Sequence, residues 1–169
     1  TQLTRRSILA GAGGGAAALA LAACAPSGAA KPTAPPDNSA NDKTLTWANW
    51  ALYLDEDDSG DHPTLNKFIA DTGIQVDYKV DVDDNNSYYG KVKDQLALGQ
   101  DIGADTVCLT DWMVSKWINL GYTQELDQSK IPNIKNLNSS LKNVDFDPGR
   151  KHSVPWQSGF AGLCWNKER

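Results

Sequence analysis

The hydrophobic pattern from residue 44 onward alternates between the period of a strand and the period of a helix. Apolar residues at every second position, or in a short run, predict strands at 45–47, 74–80 and 106–109. Apolar residues at helical spacing predict helices at 63–73, 87–99 and 111–121, each ending at a glycine. Because strands and helices alternate along the chain, the sequence predicts an α/β fold whose neighbouring strands are mostly parallel.

The same pattern predicts which residues face the core. The predicted core faces carry Leu65, Phe68 and Ile69 in the first helix, Tyr89, Val92 and Leu96 in the second, and Met113, Val114, Trp117 and Ile118 in the third. In the first strand, Trp47, which alternates with Leu45, is expected to lie in the core. Residues 122–150 are polar and loop-like, and residues 154–166 are apolar and aromatic again.

The first 24 residues have the layout of an export signal. Arg5 and Arg6 precede an uncharged run of Ala, Gly and Leu, which ends in Leu-Ala-Ala-Cys at Cys24. The run is too short and too rich in glycine for a membrane span, which needs about 20 apolar residues. Its ending resembles the lipobox of bacterial lipoproteins, so we expect Cys24 to be lipidated. The paired arginines resemble a twin-arginine signal, and a general secretory signal or a plain N-terminal tail are the alternatives.

Composition and charge narrow the classes of partner. The 169 residues carry 16 basic and 21 acidic side chains, a net charge of −5, and removal of residues 1–23 makes it −7. An acidic surface repels nucleic acid and favours cationic ligands, so we expect no nucleic-acid partner. Cys108 and Cys164 could pair in an oxidising compartment, but both lie in apolar runs, where a buried thiol is commoner.

The chain has no convincing catalytic or metal-binding motif. A glycine-rich match to the dinucleotide-binding motif lies inside the export signal and follows no strand. Two acidic clusters, at 55–60 and 81–85, lack the closing glutamate of a calcium loop, and solvated acidic loops are the simpler interpretation. His62 and His152 have no partner at metal-ligand spacing, and no nucleophile elbow surrounds Ser158. The sequence therefore predicts no enzyme, no metal and no cofactor.

Aromatic residues follow the ends of two predicted strands. Trp50 and Tyr53 follow the first strand, and Thr110 and Trp112 follow the third. In an open α/β sheet, ligands bind at the carboxyl ends of the strands. Aromatic rings near carboxylates suit an organic cation, through cation–π attraction and charge-assisted hydrogen bonds. The alternative is that these rings only cover the core.

Five segments, taken in order, resemble the spermidine/putrescine-binding proteins of polyamine ABC importers. They are NWALYLD at 49–55, FIADTGIQVDY at 68–78, DTVCLTDWMV at 105–114, QELDQSKIPN at 124–133 and FDPGRKHSVPWQSGFAGLCWN at 146–166. The resemblance implies a two-lobed fold of the type II periplasmic-binding-protein kind, which closes on its solute like a hinge. In that family the Trp and Tyr of the first segment line the cleft, as do the hydroxyl residue and the aromatic residue after the third strand. Those positions are Trp50, Tyr53, Thr110 and Trp112 here, while Ala51 and Leu52 stand where relatives often place a hydroxyl and an acid.

The resemblance also sets the expected domain organisation. Residues 1–23 are the export signal, and residues 24–43, rich in Pro, Ala and Ser, are a flexible tether. Residues 44–155 belong to the first lobe, and residues 156–169 begin the crossover to the second. The resemblance therefore implies that the chain is the N-terminal segment of this architecture, and we expect weak or absent polyamine binding by these 169 residues alone.

The expected function is capture of a polyamine outside the cell and its delivery to an ABC permease. The expected protein is a monomeric lipoprotein, anchored to a membrane at the cell surface or in the periplasmic space. One alternative is a receptor of the same fold for a sugar, an amino acid or a metal complex. Another is an exported enzyme whose catalytic half is missing, and a third is a structural surface lipoprotein.

Overall fold

The computed structural model describes residues 36–159 and 162–168. The predicted export signal, Cys24 and the first part of the predicted tether lie outside these residues. Within them, the first strand begins at Thr44. No helix in these ranges has both the length and the apolar character that crossing a membrane requires.

The sheet has three parallel strands, and the first strand is the central one. β1 spans Thr44–Trp50, β2 spans Gln75–Val82 and β3 spans Thr106–Val107. Their order is β2-β1-β3. Asn49 pairs with Val80 and Trp50 pairs with Val82, which leaves Asp81 as an extra residue in β2. The predicted α/β class with parallel neighbours is confirmed, and the central strand ends at an irregularity of the bulge type.

Three helices connect and follow the strands. They are α1 at Pro63–Thr72, α2 at Asn85–Ala97 and α3 at Asp111–Leu120. Gly73 and Gly121 end α1 and α3 in the left-handed conformation, with φ of 72° and 75°. The carboxylate of Asp84 begins α2 by accepting the backbone N–H of Ser87 at 2.9 Å. The glycine stops of α1 and α3 are confirmed.

One face of the sheet packs against α2 and α3 to form the core. The buried cluster consists of Ala48, Val82, Tyr88, Val92, Leu96, Met113 and Trp117. Trp117 is buried as predicted and stacks on Tyr88, with ring centroids 6.4 Å apart. On α2, Tyr88 is buried and the predicted Tyr89 is only half-buried. Phe68 is 41% exposed although it was predicted to face the core, and Val80, which is 59% exposed, lines a cleft.

An aromatic group covers part of the other face of the sheet. Trp47 precedes the buried Ala48 and therefore points to the opposite side of the strand. Its ring meets Tyr78 and Trp156 edge-on, with centroids 5.4 Å and 4.9 Å away. Trp47 is half-buried here, so its predicted place in the main core is wrong.

The segment after α3 is more ordered than its polar sequence predicts. It contains 3-10 helices at Gln128–Lys130 and Pro132–Asn136 and a single-turn helix, α4, at Ser139–Lys142. Asp147 and Arg150 are each only 2% exposed. The loop prediction is therefore wrong in this respect, because the segment closes around two buried charged residues.

Cys108 and Cys164 are both free. Cys108 is half-buried just beyond β3, and burial raises the pKa of its thiol. Cys164 is exposed, so the buried-thiol prediction is wrong for this residue.

Candidate ligand-binding cleft

A cleft of about 680 Å³ lies where β1 and β2 end and α2 begins. Its lining residues are Trp50, Ala51, Tyr53, Val80, Asp81, Val82, Asp83, Ser87, Tyr88 and Lys91. The carboxyl edge of a parallel sheet is the usual place for a ligand, because loops there are free to diverge. Two sides of this cleft differ in chemistry, one being aromatic and the other acidic.

The aromatic side consists of Trp50 and Tyr53. Their rings are stacked, with centroids 6.1 Å apart and planes at 29°. The indole N–H of Trp50 donates to the carbonyl oxygen of Cys108 at 3.0 Å, which ties the end of β1 to the chain leaving β3. The hydroxyl of Tyr78, on β2, donates to the carbonyl oxygen of Trp50 at 3.4 Å. Trp50, at the end of β1, is thus bonded to β2 and to the chain just beyond β3.

The turn between these two rings is held in a strained conformation. Leu52 has φ of 62°, a left-handed value that is uncommon for a residue with a side chain, and it is 90% exposed. The carbonyl oxygen of Tyr53 accepts the indole N–H of Trp156 at 3.0 Å. This bond, made by a residue 103 positions further along the chain, fixes the turn that presents the Tyr53 ring.

The acidic side consists of Asp81 and Asp83. Asp81 is the extra residue of β2, and bulges of this kind redirect side chains near functional sites. Both of its carboxylate oxygens accept from the ammonium group of Lys91, at 2.6 Å and 2.7 Å. Asp83 accepts the backbone N–H of Asp84 at 2.8 Å. Burial, together with the nearby charge of Asp81, raises the pKa of Tyr88 to about 12.

Thr110 and Trp112 lie at the same edge of the sheet but not in the lining of the cleft. The backbone N–H of Thr110 donates to the side-chain oxygen of Asn85 at 3.0 Å, which joins the start of α3 to the start of α2. Trp112 lies in the first turn of α3 and is 53% exposed. The structure therefore brings Trp50 and Tyr53 together and leaves Thr110 and Trp112 beside them, outside the cleft.

Sequence reasoning missed the contribution of β2 and α2. In the sequence, Asp81 and Asp83 belong to an acidic cluster that lacks the closing glutamate of a calcium loop, and no motif marks Lys91. A usable signal existed, because this cluster follows a strand just as Trp50 and Thr110 do. Asn49 and Asn85, both buried at this edge, carried no such signal because a buried amide has no periodic pattern.

No family model matches the chain. Among curated proteins, it is 36% identical over 133 residues to the putrescine-binding periplasmic protein SpuD of Pseudomonas aeruginosa, covering 78% of this chain and 33% of that protein. It is 32% identical over 146 residues to the spermidine/putrescine-binding periplasmic protein 1 of Haemophilus influenzae, covering 86% and 38%.

A solved structure described as a spermidine/putrescine ABC transporter from Listeria monocytogenes matches with a TM-score of 0.56 and 32% identity. The match covers 67% of this chain and 31% of that one. The chain thus spans about a third of the length of the relatives it matches. These relatives are solute-binding proteins and not enzymes.

Proposed function

We propose that this chain, a homologue of the spermidine/putrescine-binding periplasmic proteins over about a third of their length, contributes part of a receptor that captures polyamines and passes them to an ABC permease. The observation that carries the proposal is the cleft, whose lining combines the stacked rings of Trp50 and Tyr53 with the carboxylates of Asp81 and Asp83. This combination matches a ligand with positively charged ends and an apolar chain between them.

The chemistry of a polyamine explains why both sides of the cleft are needed. Its amino groups are protonated at neutral pH, and a carboxylate binds such a group through charge-assisted hydrogen bonds. The methylene groups pack against ring faces, which also attract a nearby ammonium group through their quadrupole. Asp81 and Asp83 supply the acid that Leu52 does not supply beside the rings. Thr110 and Trp112 lie at the same edge but outside this lining, so their contact with the ligand stays a prediction from the family resemblance.

The proposed setting follows from the N-terminal sequence. Residues 1–23 direct export, lipidation of Cys24 anchors the protein, and residues 24–43 act as the tether. In this proposal residues 44–155 form the first lobe and residues 156–169 lead toward the second. Mass spectrometry of the membrane fraction tests the anchor, because a lipidated Cys24 adds a diacylglyceryl mass and an unlipidated one does not.

A nuclear magnetic resonance titration with putrescine tests the proposed ligand class. Because the cleft is open and the ligand small, we expect a dissociation constant of about 1–10 mM, with shifts at Trp50 and Tyr53. 1,4-Butanediol, which has the same carbon chain without charge, serves as the control ligand. Equal shifts with the diol, or no shift at about 50 mM putrescine, would contradict the proposal.

The variant Asp81→Asn tests the acidic side of the cleft. We expect it to weaken putrescine binding about threefold to tenfold, because it removes one of the two lining carboxylates. Asp77→Asn is the matched control, since Asp77 lies on the same strand, pairs with Lys79 at 3.2 Å and does not line the cleft. Equal putrescine affinity in the two variants would show that Asp81 does not bind the ligand.

Glucose tests the alternative receptor class. A response to glucose but not to putrescine would favour a sugar receptor instead.

A further inference from the structure

A side chain of the protein already places an ammonium group in the cleft. Lys91 extends from α2 and its Nζ contacts both carboxylate oxygens of Asp81, at 2.6 Å and 2.7 Å. The same nitrogen lies 5.9 Å from the centre of the Tyr88 ring. A lysine side chain is an alkyl chain that ends in a primary ammonium group, which is also the chemistry of each end of a diamine.

Lys91 changes the charge that the cleft offers to a ligand. Among the lining residues, Asp81, Asp83 and Lys91 are the charged ones, and their sum is −1. Asp81 is neutralised by Lys91, whereas Asp83 takes part in none of the four ion pairs found among the described residues. The resting cleft therefore has one carboxylate free for a cation, and the second is occupied by the protein itself.

We propose that Lys91 limits the affinity of the cleft for diamines by competing with the ligand for Asp81. The inference rests on the proposed function and deepens it. A ligand with one ammonium group binds at Asp83 and leaves the Lys91–Asp81 pair intact. A diamine gains its second carboxylate only when its other ammonium group displaces Lys91. Lys91 thus lowers the affinity for a diamine and leaves the affinity for a monoamine nearly unchanged.

The exposure of the pair makes the exchange feasible. The side chains of Lys91 and Asp81 are 58% and 38% exposed, and ion pairs this open to water contribute little to stability. The lysine stem is flexible, so its head can move into solvent without disturbing α2. The displaced ammonium group is then hydrated, and the ligand ammonium takes its place at the carboxylate that the bulge in β2 presents.

Removal of the competitor tests the proposal. We expect Lys91→Met to tighten the binding of putrescine (1,4-diaminobutane) about fivefold. Butylamine, the matching monoamine, should bind less than about twofold more tightly at constant ionic strength. Lys79→Met is the matched control, because Lys79 pairs with Asp77 on β2 away from the lining and its loss should change neither affinity. Lys91→Gln, which keeps a polar side chain, is the second variant in case Met perturbs the helix.

The outcomes separate this inference from the proposed function. Suppose that the parent chain binds both amines and that each Lys91 variant binds them with unchanged affinity. The competitor role is then wrong, and the proposed function stands. Equal gains for the diamine and the monoamine would show general repulsion and would also overturn it. If neither the parent chain nor any variant binds an amine, both proposals fail. A selective gain for the diamine supports the competitor role.

Discussion

At the scale of single residues, Asp147 organises the segment that follows α3. Its carboxylate accepts the backbone N–H groups of Lys151, His152 and Ser153, at 3.0, 3.2 and 2.9 Å, and the Ser153 hydroxyl at 2.7 Å. That hydroxyl also accepts from the guanidinium of Arg150 at 3.1 Å. One buried side chain thus holds several backbone N–H groups of the turn that follows it.

We expect Asp147→Asn to destabilise the fold by about 2 kcal/mol, because an amide turns one acceptor into a donor that faces other donors. Urea unfolding followed by far-ultraviolet circular dichroism measures the change. Asp145→Asn is the control, since Asp145 is exposed two residues away, and its midpoint should not move. Equal midpoints for both variants would show that Asp147 does not support the segment.

The role of a single residue could be predicted from the sequence only where its position relative to a strand or helix indicates that role. Trp50 and Tyr53 were found because aromatic side chains after a strand follow the rule for ligand sites in parallel sheets. Whether they contact a ligand stays a prediction. Asp147 was missed, because its role depends on donors that converge in space and leave no periodic trace. The Lys91–Asp81 pair was missed for the same reason, since ten residues separate its partners.

At the scale of elements, the junction between α1 and β2 depends on one glycine. Gly73 has φ of 72°, and its N–H donates to the carbonyl oxygen of Ile69. A Cβ added there would meet nothing within 4 Å, so the constraint is conformational and not steric crowding. Gly90 provides the opposite case, because it lies within α2, has no left-handed φ and also has open space around it.

We expect opposite signs from the same substitution at these two glycines. Gly73→Ala should destabilise the fold by about 1 kcal/mol, because alanine is strained in the left-handed conformation. Gly90→Ala should stabilise it by about 0.5–1 kcal/mol, because alanine restricts the unfolded chain and favours the helix. Thermal unfolding of both variants measures the difference, and two shifts of the same sign would contradict this assignment.

The elements themselves were largely predictable. All six main helices and strands occur where the hydrophobic period predicts them, with bounds that differ by a few residues. The period could not show that Val80 opens onto a cleft, because a strand residue at a sheet edge keeps its alternation whether or not something packs on it. The hydrophobic period also could not predict the short helices of residues 128–142. Their hydrogen bonds join residues close in sequence, and they contain few apolar residues.

At the scale of the whole molecule, exposed aspartates make the fold sensitive to acid. Six of them have a pKa below the ordinary value of 3.8, mainly because a nearby hydroxyl or backbone N–H donates to each carboxylate. They are Asp37, Asp42, Asp55, Asp57, Asp84 and Asp127. Since all six are open to solvent, the contribution of each is small, and the effect comes from their number.

We expect the temperature of unfolding to fall as the pH decreases below about 4. The unfolded chain binds more protons than the folded one in this range, so its population increases with acidity. The stabilising contribution is complete above the ordinary pKa and is lost as pH drops through the folded values. Calorimetry between pH 5 and pH 3 measures the slope. A triple variant should show a weaker dependence of the unfolding temperature on pH; it combines Asp42→Asn, Asp57→Asn and Asp127→Asn. An unchanged dependence would show that these carboxylates are not its cause.

The hydrogen bonds of Trp50 have a consequence for how the cleft adapts to a ligand. Its indole N–H donates to Cys108, just beyond β3, its carbonyl oxygen accepts from Tyr78 on β2, and the residue pairs with Val82 at the end of β2. The ring is therefore preorganised, and a ligand loses little affinity in ordering it. It also means that the ring cannot adjust to solutes of other widths. Under the proposed function, adaptation to other solutes comes from Lys91, whose exposed and flexible side chain can leave Asp81 while the tryptophan stays in place.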